Sequence, residues 1–164
     1  MGREIERKFL VVGDGWRAGG KRSRLRQGYL CASKERSVRV RLEDGAGTVT
    51  IKGPTKGVSR AEYEYRIPAR DAAALLRLCE KPLIEKARTR VRHGGLIWEI
   101  DEFAGDNRGL IVAEVELRRA DQKIKLPPWI GREVTRDARY LNANLFKNPY
   151  RRWRRARPKR SRIL

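Results

Sequence analysis

The sequence predicts an α+β domain: an eight-stranded antiparallel β tunnel, or barrel, with a charged interior and a few flanking helices. Three observations carry this prediction. Most of the chain alternates in character with a period of two, one segment is rich in strong helix formers, and the charged residues of the alternating segments share one face. With 164 residues and 40% apolar content, the chain is long enough for one folded core and too short for two.

Eight segments have the alternating pattern of strands and are bounded by Gly, Pro, Asp or Asn. They are residues 3–12, 28–32, 37–43, 48–52, 59–68, 83–92, 96–103 and 110–118. Because so many short strands follow one another with few helical segments between them, an antiparallel sheet is expected.

The main helical segment is 69–79, where Ala and Leu dominate and Asp71 is a candidate N-terminal cap. Two shorter helices are expected over 119–125 and 136–144. Beyond residue 148 there is no periodic apolar face. The predicted domain therefore covers residues 1–148, and residues 149–164 are predicted to form a mobile polybasic tail.

Composition narrows the class of protein. Forty Lys and Arg against twenty Asp and Glu give a formal net charge of +20, which calls for an anionic partner. Nine of those cations and no carboxylate lie within 147–164. Cys31 and Cys79 are too few for the disulfide framework of a small secreted domain, and the N-terminus lacks the apolar run of a signal peptide. We therefore expect a cytoplasmic protein that contains no membrane segment.

The charged positions of the predicted strands recur as like-charge pairs, such as Glu4 with Glu6 and Arg39 with Arg41. Residues two apart on a strand are about 6.7 Å apart, so each pair costs roughly 2 kcal/mol at an effective dielectric constant of about 20. A divalent cation between carboxylates, or a polyanion between cations, makes such a pair favourable. The pattern predicts a polyanion site with metal ions in a closed, wet tunnel, and a solvated charged sheet surface is the alternative.

Seven motifs in sequence resemble the CYTH superfamily, the triphosphate tunnel metalloenzymes. The first is Glu4-Ile-Glu-Arg-Lys8, which matches the Glu-x-Glu-x-Lys signature of that family. The others are Val38-Arg-Val-Arg-Leu42, Thr50-Ile-Lys52, Arg60-Ala-Glu-Tyr-Glu64, Glu85-Lys-Ala-Arg88, Trp98-Glu-Ile-Asp-Glu-Phe103 and Ala113-Glu-Val-Glu-Leu117. The resemblance spans residues 3 to 145 and is similar in detail to short bacterial inorganic triphosphatases.

The resemblance implies roles for specific residues. Phosphate contacts would come from Lys8, Arg39, Arg41, Lys52, Arg60, Lys86 and Arg88. Ligands of Mg²⁺ or Mn²⁺ would be Glu4, Glu6, Glu114 and Glu116, with Glu62, Glu64 and Asp101 behind them or at a second ion. Tyr29 would accept a proton, together with Lys8, because nearby cations are expected to make its phenol more acidic. Arg90 and Glu99 could face either side of the sheet.

The resemblance implies a metal-dependent hydrolase that cleaves inorganic triphosphate, or a related triphosphate compound, to pyrophosphate and phosphate. Two alternatives stay open at this point. One is an adenylate cyclase of the class IV type, which would act on ATP in the same tunnel. The other is a basic nucleic-acid-binding or polyphosphate-binding protein without catalysis. Weak contact of the tail with nucleic acid or polyphosphate, and a homodimer, are also open.

Overall fold

The computed structural model describes residues 5–56 and 59–153, and its main feature is one antiparallel sheet. The strands are β1 (Ile5–Val11), β2 (Lys21–Ala32), β3 (Ser37–Glu43), β4 (Ala46–Lys56), β5 (Ser59–Ile67), β6 (Ile84–His93), β7 (Leu96–Phe103), β8 (Ile111–Leu117) and β9 (Ile130–Glu133). Neighbours in the sheet follow the order β5-β4-β3-β2-β6-β7-β8-β1-β9. The predicted antiparallel sheet is confirmed.

The sheet differs from the prediction in its number of strands and in its closure. It has nine strands among the described residues, because the short β9 pairs with β1. Within the same part of the chain, β5 and β9 are the two edges and do not pair with each other. Over the described residues, the sheet is therefore not closed by hydrogen bonds.

The helices confirm one prediction and contradict another. Helix α1 (Ala69–Leu78) matches the predicted main helix, although Pro68 precedes it and Asp71 lies in its first turn. Residues 119–125 form a turn followed by irregular chain, so the helix predicted there is wrong. The region 136–144 divides into a 3-10 turn at Ala138–Tyr140 and the short α2 (Asn142–Leu145). A last short helix, α3, covers Tyr150–Trp153.

Helix α1 covers the outer face of β2, β3 and β4. Leu76 and Ala72 are buried there against Val40. Gly28 on β2 permits this close approach, because a Cβ atom at that position would lie 2.6 Å from Cβ of Cys79. The expected apolar outer layer is present on this side of the sheet.

Two tryptophans cover the outer face on the opposite side of the sheet. There, the side chains of Phe9, Trp98 and Val115 point outward from β1, β7 and β8 and are buried beneath them. Trp16 lies in the loop before β2, and Trp129 precedes β9; both pack into this cluster. Trp98 and Trp129 meet edge to face, with ring centroids 5.8 Å apart. The segment that leads into β9 supplies the cover on this side, and no helix is needed.

The elements that follow β9 close one end of the inner face. At that end, the inward positions of β6, β7 and β8 are no longer charged. They are occupied by the apolar residues Ile84, Phe103 and Val112. Tyr140 and Phe146 complete the cluster. We call this group the apolar stopper; its buried members are Tyr29, Ile84, Phe103, Leu110, Val112, Val134, Tyr140, Leu145 and Phe146.

Within the described ranges, no helix combines the length and the apolar character needed to cross a membrane.

Candidate active site

The inner face of the sheet surrounds a cavity of about 930 Å³ with charged walls. Nearly all of the predicted site residues whose side chains are described lie on these walls: Glu6, Lys8, Tyr29, Arg39, Arg41, Lys52, Glu62, Glu64, Arg88, Glu114 and Glu116. They come from seven strands, and their shared direction follows from the alternation of side chains along each strand. The charged groups therefore converge inside the sheet, and the alternative of a solvated outer surface is excluded for them.

Some predicted residues lie elsewhere. Lys86 and Asp101 are buried beneath the cavity wall and do not line it. Glu4 and the side chain of Arg60 lie outside the described part of the chain. Arg90 and Glu99, whose direction the sequence left open, both face the cavity.

The carboxylate side of the cavity is formed by β1 and β8. Glu6 lies opposite Glu116 in the register of these strands, and Lys8 lies opposite Glu114. The ammonium group of Lys8 donates to Glu114 at 2.7 Å and lies 3.4 Å from Glu6 Oε1. One buried cation thus holds two of the three carboxylates.

The same contacts set the charges of Lys8 and Glu114. Burial alone would lower the pKa of Lys8, but Glu114 and Glu6 more than offset it and raise that pKa above its usual range. Burial alone would raise the pKa of Glu114, but Lys8, Lys86 and Arg88 hold that pKa well below its usual range. At neutral pH, Lys8 is therefore a cation and Glu114 an anion.

A layer of buried ion pairs supports the cavity from below. Asp101 is completely buried and accepts hydrogen bonds from Lys86 Nζ at 2.5 Å and from Arg88 Nε at 2.7 Å. Arg88 also forms ion pairs with Glu99 and Glu114. Asp101 therefore fixes the direction of Arg88, whose guanidinium reaches the cavity wall.

The cationic side is formed by β3 and β4. Arg39 donates a hydrogen bond to Thr50 Oγ1 at 3.1 Å, and Lys52 forms a salt bridge with Glu62 at 2.9 Å. Burial, together with Arg39 and Arg88, lowers the pKa of Arg41 to about 10, so that Arg41 is still a cation at neutral pH.

Sequence reasoning missed Gln27, which lies opposite Arg41 in the register of β2 and β3. Its side chain is completely buried, and neither amide atom has a hydrogen-bond partner in the described part of the chain. A single amide in a run of basic residues carries no motif, so only the three-dimensional contacts reveal it.

Tyr29 lines the cavity, as predicted, but the expectation that its phenol is unusually acidic is wrong. Burial raises the pKa of Tyr29, and the nearby cations, Arg39 first among them, offset only part of this effect. The ring stacks on Phe146 with centroids 5.3 Å apart, within the apolar stopper. In the free protein, Tyr29 is therefore a neutral phenol.

The donor set at β1 and β8 fits a hard divalent cation. Glu6 and Glu116 face each other across neighbouring strands, an arrangement that is repulsive without a cation between the carboxylates. Oxygen donors of this kind are those that Mg²⁺ and Mn²⁺ take in proteins. Within residues 5–56 and 59–153, no group of three such side chains is gathered around one point, and Glu4, the further predicted ligand, lies outside these residues.

The first residues of the predicted tail belong to the folded body. Trp153 in α3 packs edge to face on Tyr140 at 5.1 Å, and the backbone N–H of Tyr150 donates to Asn107 Oδ1 at 2.8 Å. The predicted boundary at residue 148 thus falls before the last described contacts. Residues 154–164, the remainder of that tail, lie outside the described residues.

Comparison with known proteins points to the family that the seven motifs resemble. The CYTH domain profile matches residues 2–150. A protein of Acetivibrio thermocellus named inorganic triphosphatase is 52% identical over 152 residues, which cover 92% of this chain and 97% of that protein. A protein of Nitrosomonas europaea with the same name is 39% identical over 150 residues, covering 87% of this chain and 95% of that protein.

A solved structure agrees as well. The crystal structure of the inorganic triphosphatase NE1496 superposes with a TM-score of 0.66 at 36% identity, covering 89% of this chain and 95% of that chain. The extent of the profile match and the level of identity confirm the resemblance first seen in the seven motifs. This chain therefore belongs to the CYTH domain family.

Proposed function

We propose that the protein is a metal-dependent hydrolase that cleaves inorganic triphosphate to pyrophosphate and phosphate. One observation carries the proposal: a cavity of about 930 Å³ holds cations on β3, β4 and β6 and carboxylates on β1 and β8. A linear polyanion with a divalent cation fits both walls at once. The names of the two curated relatives agree with this substrate.

Binding of the substrate would fall to the cationic walls. Arg39, Arg41 and Arg88 present guanidinium groups, whose planar fork matches two phosphoryl oxygens. Lys8 and Lys52 add point charges from β1 and β4, and Arg60 is a further candidate. Lys86 lies beneath the wall, so we assign it to the support of Asp101 and Arg88 instead of direct contact.

Glu6, Glu114 and Glu116, together with Glu4, would hold Mg²⁺ or Mn²⁺, and Glu62 and Glu64 are candidates for a second ion. A bound divalent cation would neutralise phosphoryl oxygens and make the terminal phosphorus a better electrophile. The residues of the chain orient the substrate, exclude most solvent and neutralise charge on the leaving pyrophosphate.

Tyr29 would act as a neutral hydrogen-bond donor. Its phenol lines the cavity near Arg39 and Lys8 and can donate to a phosphoryl oxygen or to the attacking water. This role replaces proton acceptance, which the raised pKa of the buried phenol disfavours. Water then attacks the terminal phosphorus while the bond to the bridging oxygen breaks. Pyrophosphate leaves, and one proton of the water passes to a phosphoryl oxygen of the phosphate product.

A phosphate-release assay tests the proposal. Triphosphate, ATP and pyrophosphate are each supplied with Mg²⁺, with Mn²⁺ and with a chelator. We expect turnover with a preference for triphosphate and its loss in the chelator. Equal turnover without a metal would contradict the metal assignment, and formation of cyclic AMP from ATP would assign the cyclase reaction instead.

A matched pair of variants separates the site from the fold. Glu114→Gln removes a carboxylate that holds Lys8 and Arg88, and we expect at least about a hundredfold loss of turnover. Glu85→Gln changes an exposed carboxylate on the outer face and should leave turnover within about twofold. Equal effects of the two substitutions would contradict the assignment.

A further inference from the structure

Two neighbouring rows of side chains cross the inner face of the sheet. A row here means residues paired across β2, β3, β4 and β5. The first row consists of Tyr29, Arg39, Thr50 and Glu64, and the second of Gln27, Arg41, Thr48 and Arg66. Both rows place an arginine on β3 beside a threonine on β4, so the hydrogen bonds of the two rows can be compared directly.

Protein groups satisfy most of the first row, in which Nε of Arg39 is the one buried side-chain atom without a hydrogen-bond partner in the described part of the chain. Arg39 donates a hydrogen bond to Thr50 Oγ1 at 3.1 Å, and Thr50 donates in turn to Glu64 Oε2 at 3.0 Å. Glu64 also lies 3.9 Å from the guanidinium of Arg39. A carboxylate at the end of the row thus anchors the chain of hydrogen bonds.

The second row is not satisfied in this way. Among the described residues, both amide atoms of Gln27, the hydroxyl of Thr48 and Nε of Arg41 are buried without a hydrogen-bond partner. Arg66 occupies the position where the first row has a carboxylate. Within the described ranges, Arg41 is also the one arginine on the β3 and β6 cavity walls that has no salt bridge.

The chemistry of these atoms identifies the hydrogen-bond partner that they require. Buried polar groups are hydrogen-bonded in nearly all native proteins, and ordered water supplies the partner where the protein does not. Gln27 Oε1 requires a donor. An ionised phosphoryl oxygen has no proton to donate, whereas water can donate two hydrogen bonds and accept two. Arg41 is paired with Gln27 on one side and with Thr48 on the other, with Cβ atoms about 5 Å apart in each pair, so a water beside the Arg41 side chain has both neighbours close by.

We propose that an ordered internal water links Gln27, Thr48 and Arg41 and orients the guanidinium of Arg41 towards the substrate. Gln27 and Thr48 are then positioning residues that act through Arg41 and do not touch the substrate. The catalytic consequence rests on the proposed function, since it requires Arg41 to bind a phosphoryl oxygen. The water site itself does not depend on that function.

Two nearly isosteric variants test the positioning role. Gln27→Leu and Thr48→Val remove the hydrogen-bonding groups and keep most of the volume, and thermal unfolding of each variant checks the fold. We expect each to raise KM for triphosphate by about tenfold and to change kcat by less than about twofold. Thr89→Val, which removes a buried hydroxyl from the outer face of β6, is the control and should leave KM unchanged.

A double-mutant comparison distinguishes positioning from a general structural effect. In an Arg41→Lys background, Gln27→Leu should raise KM by less than about twofold further, because its effect passes through the guanidinium that is already missing. A full tenfold increase in that background would overturn the proposal, as would an unchanged KM in both single variants.

A high-resolution crystal structure supplies a readout that is independent of turnover. Density for a water within hydrogen-bond distance of Gln27 and Thr48, lost in Gln27→Leu, would support the proposal. A dry gap, or a Gln27 amide bonded directly to protein groups, would overturn it. If the unmutated protein hydrolysed no triphosphate, the proposed function would fail while the crystal structure still decided the water site.

Discussion

At the scale of single residues, Asp101 can keep its negative charge in a fully buried position because two cations contact it. Lys86 and Arg88 donate hydrogen bonds to both of its oxygens, at 2.5 to 2.7 Å. These cations, and the hydrogen bonds of Arg88, hold the pKa of Asp101 below its usual value against the opposing effect of burial. A charge in such a position stabilises the fold only while its partners are present.

Substitution of this cluster should therefore have unequal effects on stability. Asp101→Asn leaves Lys86 and Arg88 as buried cations without their common partner, and should lower the free energy of unfolding by about 3–5 kcal/mol. Lys86→Met leaves Asp101 with the two hydrogen bonds from Arg88 and should cost less. Urea denaturation of both variants measures the difference, and a larger loss for Lys86→Met would contradict this account of the cluster.

The pH dependence of stability should also depend on Lys86. Burial lowers the pKa of its ammonium to about 8, although Asp101 opposes the shift. Between pH 8 and 10.5, the usual pKa of a lysine, the unfolded chain binds more protons at this lysine than the folded chain does. Stability from this group therefore rises with pH across that window. Urea denaturation should show the free energy of unfolding of the unmutated protein rising relative to that of Lys86→Met, and a fall would contradict the prediction.

At this scale, strand alternation was sufficient to predict most cavity residues. Arg39 and Arg41 lie two positions apart on one strand, and so do Glu114 and Glu116 on another. Both members of each pair therefore point to the same face of the sheet, which is the inner one. Alternation predicts which face of the sheet a side chain lies on, but not how deeply that side chain is buried. It could therefore not show that Lys86 lies beneath the cavity wall. The raised pKa of Tyr29 was missed for the same reason, because it depends on burial.

At the scale of elements, the packing of α1 on β2 depends on the missing side chain of Gly28. We expect Gly28→Ala to lower the free energy of unfolding by about 1–3 kcal/mol, because the new Cβ would lie 2.6 Å from Cβ of Cys79. Gly53→Ala is the matched control on β4, since its Cβ would lie 3.6 Å from the nearest atom, an ordinary contact. Urea denaturation compares them, and equal losses would show that glycine flexibility alone is responsible.

Two truncations should differ because α3 packs on the body. Removal of residues 149–164 takes away the contact of Trp153 with Tyr140 and the hydrogen bond to Asn107, and should lower the melting temperature by several degrees. Removal of residues 154–164 alone deletes none of these contacts and should leave the melting temperature unchanged. Differential scanning calorimetry of the two chains measures this, and an equal decrease in both would place the boundary later in the sequence.

Elements with a clear apolar alternation were predicted, and elements without one were missed. The first part of β2 reads Lys21-Arg-Ser-Arg-Leu-Arg26, where arginines occupy the outward positions, so only its end at 28–32 was recognised. The four-residue β9 is too short to show a period. Its pairing with β1 depends on contacts distant in sequence.

At the scale of the whole molecule, the cavity has two flanks that belong to opposite edges of the sheet. Lys52 and Glu62 lie near the β5 edge, and Glu6 and Glu116 lie near the β9 edge. In the described part of the chain, these edges are not joined by hydrogen bonds. A ligand that contacts both flanks would therefore connect them across the cavity.

Triphosphate with Mg²⁺ should consequently stabilise the folded protein. Binding at 100 times the dissociation constant adds about 2.7 kcal/mol, so the melting temperature should rise with ligand concentration. Potassium chloride at the same ionic strength serves as the control, because it screens surface charges without bridging the flanks. An equal shift in both salts would contradict specific binding in the cavity.

The overall architecture could be predicted because the repulsion within like-charge pairs applies to many residues on several strands. Repeated like-charge pairs on successive strands are unfavourable unless they face a common ligand, and the structure brings them to one cavity. The apolar stopper was not predicted, although Ile84, Phe103 and Val112 continue the same inward faces as the charged residues. Alternation alone does not show where along a face the character changes.

Among the described residues, the apolar stopper closes the cavity at the end formed by Ile84, Phe103 and Val112. A ligand therefore reaches the cavity from the side of Leu96, Ile97 and Arg118, or between β5 and β9, which do not pair with each other. Under the proposed chemistry, pyrophosphate that lingers there blocks the next molecule of triphosphate. Pyrophosphate should therefore inhibit turnover in competition with triphosphate.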